Sequence, residues 1–193
     1  QALKTSQLIS LTTGQITTLT PDQIAGLTSL QVQALTTMQL ASLTPDEVLA
    51  LKTAQIASLT TVQIAAFTPQ QVSGFSTAQI VALTTSQIAA LTTSQVVSLT
   101  ADQLTAMELV DLQAFKTSQI STLTTSQVIA LTTDEIAALT TAQVAALTTA
   151  QLVSLTLGEI SALKTSQIAA LSTLNVSSLT TDQLVILNSA QLQ

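Results

Sequence analysis

The chain is 193 residues long, with 7% charged residues, a formal net charge of −6 and no His, Cys, Trp or Tyr. All four cations are lysines, so Arg-based bidentate phosphate recognition is excluded, as is a basic patch interleaved with aromatics for nucleic acid. Disulfides, thiolate metal sites and histidine acid–base chemistry are also excluded, and Thr and Gln cut every apolar run too short for a membrane-spanning helix.

From Gln7 to Gln191 the chain repeats every eight residues without a slip, the mark of a repeat architecture. Nineteen of the 24 aligned positions are Gln, and the next residue is always Ile, Val or Leu. Three residues beyond that stands a Leu, Phe or Met, usually followed by Thr. The consensus is L-T-T-x-Q-[IV]-x-[AS].

The first octads show what this unit specifies. In Leu19-Thr20-Pro21-Asp22-Gln23-Ile24, Thr20 and Gln23 form a capping box. The hydroxyl accepts from the N–H three residues on, and the Gln side chain reaches back to the cap N–H. Leu19 and Ile24 take the two positions of a hydrophobic staple. Pro21, Pro45 and Pro69 all follow the cap directly, at N1, where a missing N–H costs little. Asp22, Asp46, Asp102, Asp134 and Asp182 all fall at N2, where the helix dipole favours an acid.

Further along, the pattern bends without breaking. The cap is Thr, Ser or Asn in 19 of 24 octads. The departures are Lys4, Lys52, Glu108, Lys116 and Lys164, each a cap weaker by about 1 kcal/mol. A Thr follows each of these lysines, so the helix is expected to be capped one residue late. Glu47, Asp111, Glu135, Glu159 and Asn175 replace the Gln. Phe67, Phe75, Met107 and Phe115 replace the large Leu.

These signals predict an all-α solenoid of 24 short capped helices, each about seven residues long. A single long helix fails, because an apolar pair every eight residues drifts by about 80° per octad. A β-solenoid is the alternative, but apolar spacings of 3 and 5 break period-two alternation. So short a helix is unstable alone, and the invariant aliphatic and Leu side chains must form a continuous core. Pro21, Pro45 and Pro69 are 24 residues apart, as are Asp111, Glu135 and Glu159. That spacing fits three octads per superhelical turn, and it also fits past duplication of 24-residue blocks. Residues 1–193 read as one continuous array, starting and finishing within repeats without a polar cap. The array is thus a piece of a longer one or a unit that stacks end to end.

No catalytic, cofactor-binding or metal site is expected. The adjacent acids Asp46-Glu47 and Asp134-Glu135 sit at helix starts and satisfy orphan N–H groups. Stacked Asp111, Glu135 and Glu159 would bind calcium only with six or more oxygens. Ser and Thr have no base beside them. The Gln column is expected to form a structural amide ladder between coils. The Thr pairs make a regular polar array of the kind ice-binding solenoids use, so a face for ice or polysaccharide is the alternative function.

The L-T-T-x-Q-[IV] octads resemble Thr- and Ala-rich short-repeat regions of very large bacterial secreted or surface proteins of adhesin-like type. The resemblance spans the whole chain and implies an extracellular, fibrous or adhesive role. The expected partners are further copies of the chain, with the cell surface or a polysaccharide as others.

Overall fold

The computed structural model describes residues 3–193. Gln1 and Ala2, where the array is read as starting without a cap, lie outside the described residues. The described chain contains 24 short α-helices and no strand, so the solenoid is helical and the β alternative falls. It divides into two units, Gln1–Leu99 and Thr100–Gln193.

In the first unit the helices come in four sets of three. They are α1 (Thr5–Ile9), α2 (Thr13–Ile16) and α3 (Pro21–Ala25); then α4 (Ser29–Ala34), α5 (Thr37–Ser42) and α6 (Pro45–Ala50). Next are α7 (Thr53–Ser58), α8 (Thr61–Ala66) and α9 (Pro69–Ser73); then α10 (Thr77–Val81), α11 (Thr85–Ala90) and α12 (Thr93–Ser98). The second unit holds α13 (Ala101–Thr105), α14 (Leu109–Ala114) and α15 (Thr117–Ile120), followed by α16 (Thr125–Ala130), α17 (Thr133–Ala138) and α18 (Thr141–Ala145). It continues with α19 (Thr149–Ser154), α20 (Leu157–Ala162) and α21 (Thr165–Ala169), then α22 (Thr173–Ser178), α23 (Thr181–Val185) and α24 (Ser189–Leu192).

Within each unit a helix packs on the one three places later. Examples are α1 on α4, α2 on α5 and α3 on α6, and in the second unit α14 on α17 and α17 on α20. Three octads therefore complete one turn of the coil, and the 24-residue spacing of prolines and acids has a geometric meaning.

The helices are four to six residues long, shorter than the expected seven. The reason lies at the corner, where two residues leave the helix. Leu35 takes φ −60°, ψ 139° and Thr36 takes φ −70°, ψ 159°. Two consecutive extended residues turn the chain from one helix into the next. No residue with positive φ occurs among those described, so the corner needs neither Gly nor a left-handed C-cap.

The aliphatic after Gln and the large corner residue face inward and form the core expected of them. Ile56, Ile88 and Ile136 are fully buried, and corner residues such as Leu51 and Leu163 nearly so. The rings of Phe67 and Phe75, on consecutive corners, meet edge-to-face at 5.3 Å and 79°, so corner side chains of one coil converge on its interior. The partly exposed members of this set fall in the first helices of the first unit and the last helices of the second. They are Leu3, Leu11, Leu19 and Leu27 in the first unit, and Ile168, Val176, Leu184 and Leu192 in the second.

Candidate functional site

The polar groups most strongly held by this fold are those of the Gln column. Each of these side chains sits at N3, and from Gln39 onward they are buried. Gln39 shows the arrangement. Its Oε1 accepts from the Thr36 N–H at 2.8 Å, while its own N–H donates to Thr36 Oγ1 at 3.2 Å. That is the capping box read from the sequence. The same side chain does a second job. Its Nε2 donates to the carbonyl of Leu8 at 2.9 Å and to that of Leu11 at 2.8 Å, in the coil below.

The corner acceptor lies 28 residues back, and the helix acceptor 31 back in most octads and 30 back at Gln63, Gln167 and Gln191. Gln71 donates to Leu40 and Leu43, Gln79 to Val48 and Leu51, and Gln87 to Ile56 and Leu59. In the second unit Gln143 donates to Leu112 and Phe115, Gln151 to Ile120 and Leu123, and Gln183 to Leu152 and Leu155. The first acceptor lies in the last turn of a helix, and the second is the corner carbonyl that no helix satisfies. One amide thus caps the start of its own helix and the end of another. The expected amide-to-amide ladder is corrected accordingly: the Gln side chains bond backbone carbonyls of the neighbouring coil. Both hydrogens of the NH₂ are needed for this.

The replacements test the chemistry. Glu47 keeps the capping half, accepting from the Thr44 N–H through Oε2 at 2.6 Å. Its Oε1 is buried without a hydrogen-bond partner, because an oxygen has replaced the donating nitrogen. Glu135 and Glu159 likewise accept from the Thr132 and Thr156 N–H groups at 2.6 and 2.7 Å. Asn175, one methylene shorter, does the opposite. It donates to the Leu147 carbonyl at 3.0 Å and forms no capping box with Ser172. Asp111 is also short, and accepts from the Glu108 N–H at a long 3.3 Å. Burial raises its carboxyl above the ordinary value; the Glu108 backbone bond opposes the rise and the Glu108 charge adds to it.

The lysine caps do not behave as expected. Lys52, Lys116 and Lys164 remain at N-cap with extended backbone, and the following Thr is the first helical residue, not a late cap. Lacking a side-chain acceptor, these octads turn the N3 N–H onto the cap carbonyl. Gln55, Gln119 and Gln167 each donate to it at 2.9 Å. Their side chains still accept from the cap N–H at 2.6 Å, so half the box survives.

Asp111, Glu135 and Glu159 do lie on successive stacked helices. No group of three or more His, Cys, Asp or Glu among the described residues is placed to hold a metal ion. A shallow concavity lined by Ala41, Leu43, Pro45, Thr68, Gln70 and Gln71 contains no charged side chain. One surface feature stands apart. On the stacked helices α2, α5, α8 and α11, cap and N1 are both Thr: Thr12-Thr13, Thr36-Thr37, Thr60-Thr61 and Thr84-Thr85.

A family model described as the ALTTAQ repeat matches residues 45–77, 73–101, 104–141 and 130–157, together more than half of the chain. No curated protein matches the chain. Among the described residues, no helix is long and apolar enough to cross a membrane.

Proposed function

Because the chain belongs to the ALTTAQ repeat family, we propose that it is a structural repeat, a fibre, stalk or spacer segment of an extracellular bacterial filament or giant adhesin. It works by self-association and carries no catalytic chemistry. The observation behind this reading is the clamp. The buried Gln amides are spent on holding one coil to the next, with the corner acceptor 28 residues back in both units. Such a device sets length and stiffness and leaves no reactive group over. The surface, with few charges and many Thr, Ser and Ala side chains, offers little repulsion between copies. The extracellular placement rests on the resemblance to adhesin-like repeats.

Small-angle scattering and analytical ultracentrifugation of the purified chain test the reading. An elongated, strongly helical particle that associates as concentration rises is the expected result. A compact monomer at all concentrations would end it.

The four stacked Thr pairs favour a second reading, a binding face for ice or a polysaccharide. Replacing the N1 residues Thr13, Thr37, Thr61 and Thr85 by Val leaves the caps in place. If that face binds, thermal hysteresis or glycan binding is present in the native chain and lost in this variant.

A further inference from the structure

The coil gives each unit three long sides, each a column of stacked helices. In the second unit one side is α14, α17, α20 and α23, and the next is α15, α18, α21 and α24. Charge is divided between them. Both lysines of this unit, Lys116 and Lys164, lie on the α15 side as exposed N-caps of α15 and α21, and no acid accompanies them. The α14 side carries no lysine. Its exposed acids are Glu108, the cap of α14, and Asp134 and Asp182, at N2 of α17 and α23. Among the described residues none of Lys116, Lys164, Asp134 and Asp182 has an ion-pair partner.

The two columns match in spacing. Lys116 and Lys164 are 48 residues apart, and so are Asp134 and Asp182. Each pair therefore spans two coils, about 16–20 Å at the usual separation of packed helices. The helices in between match as well. Between the two aspartates stands α20, with Leu157 at N1, 44% exposed, and Gly158 beside it. Between the lysines stands α18, which presents the small, exposed Thr141 and Ala142. The first unit lacks this match. Its lysines, Lys4 and Lys52, are also 48 residues apart, but its exposed acids, Asp22 and Asp46, are 24 apart.

We infer that these two sides of the second unit are the halves of a lateral interface, each docking the opposite side of a second copy of this chain. This rests on the self-association reading above and specifies its surfaces. A copy that brings one lysine onto an aspartate of the acidic column brings the other lysine onto the remaining aspartate, because the same two coils separate both pairs. Leu157 then lies against Thr141 and Ala142 and leaves water. Two acidic sides repel each other, as do two basic ones, so the contact is heterologous. A single surface ion pair contributes little. Two at a fixed spacing, on a surface otherwise almost without charge, select the side that docks and its register.

The test uses the whole 193-residue chain. One variant carries Lys116→Glu and Lys164→Glu, since a Glu cap already occurs at Glu108. A second carries Asp134→Lys and Asp182→Lys. Circular dichroism first establishes that both fold; if the second does not, Asp134→Asn with Asp182→Asn takes its place. Sedimentation equilibrium at low salt is expected to show each variant alone associating at least about tenfold more weakly than the native chain. An equimolar mixture should associate again, because the acidic column of the first variant meets the lysine column that the second retains. Weakening in neither variant overturns the lateral inference and leaves self-association through other surfaces intact. Weakening in one variant alone overturns the pairing, since the affected column then has a different partner, as Lys4 and Lys52 would be for the acids. A mixture that does not recover, with both variants folded, also overturns it. A native chain that is monomeric at every concentration removes both the inference and the reading beneath it.

Discussion

At Glu47 the clamp is built with an oxygen where its neighbours carry a donating nitrogen. The residue is 2% exposed, and its Oε1 has no partner. At the 31- and 28-residue spacing of most octads its opposite groups are the carbonyls of Ile16 and Leu19, acceptors facing an acceptor. Glu47→Gln restores the donor without disturbing the capping half, which Gln performs in the octads on either side. Removing an unsatisfied buried acceptor is worth about 1–3 kcal/mol, and each new hydrogen bond about 0.5–1.5 kcal/mol net. Against this stands the loss of an acid near a helix N-terminus, about 0.3–1 kcal/mol. The balance is a gain of about 2 kcal/mol. With a urea slope of about 2 kcal/mol per molar, the midpoint should rise by about 1 M. Far-UV circular dichroism is the probe, since the chain has no Trp or Tyr. The reverse change, Gln55→Glu, breaks the bonds to Ile24 and Leu27 and should lower the midpoint by a similar amount. If Glu47→Gln leaves the midpoint in place or lowers it, the donor half of the clamp contributes nothing and the reasoning fails.

Three more expectations share this logic. Asn175→Gln should regain the capping bond to Ser172 while keeping the bond to Leu147, stabilising by about 1 kcal/mol in urea unfolding. Lys52→Thr supplies a hydroxyl to the Gln55 N–H and should raise stability by about 0.5–1 kcal/mol, read the same way. For Asp111 the raised carboxyl means the folded state binds a proton more tightly than the unfolded chain. That contribution to stability is full below the ordinary value of 3.8 and is lost as pH rises through the raised folded value. Asp111→Asn should therefore gain on the native chain as pH increases across that window, in urea midpoints measured from about pH 3 to 7; parallel pH profiles would contradict the assignment.

The preference for Gln held more information than the capping box uses. At N3 a Glu closes the box equally well and suits the helix dipole better. Yet 19 of 24 positions are Gln. That excess marks the amide nitrogen as the group under demand, and it was the available sign of a second partner. What the sequence could not show was where that partner lay, since the acceptors are main-chain carbonyls present at every residue. The lysine caps were misread for a related reason. The box was treated as a side-chain device, whereas a backbone carbonyl fills the gap at Lys52, Lys116 and Lys164.

Local chemistry, then, is what the sequence determined by itself. Helix starts, the N1 prolines, the N2 acids and the division into inner and outer positions all depend on groups within five residues of each other. The chain has to satisfy these before it packs. Whether three octads close a turn was decided by tertiary structure alone. That number depends on the dihedral angles of two extended corner residues, such as φ −60°, ψ 139° at Leu35, and on which helix faces can bury together. The second half of each Gln clamp follows from the same cause. It joins groups 28 and 31 residues apart, and they meet only because the coil brings them one layer from each other.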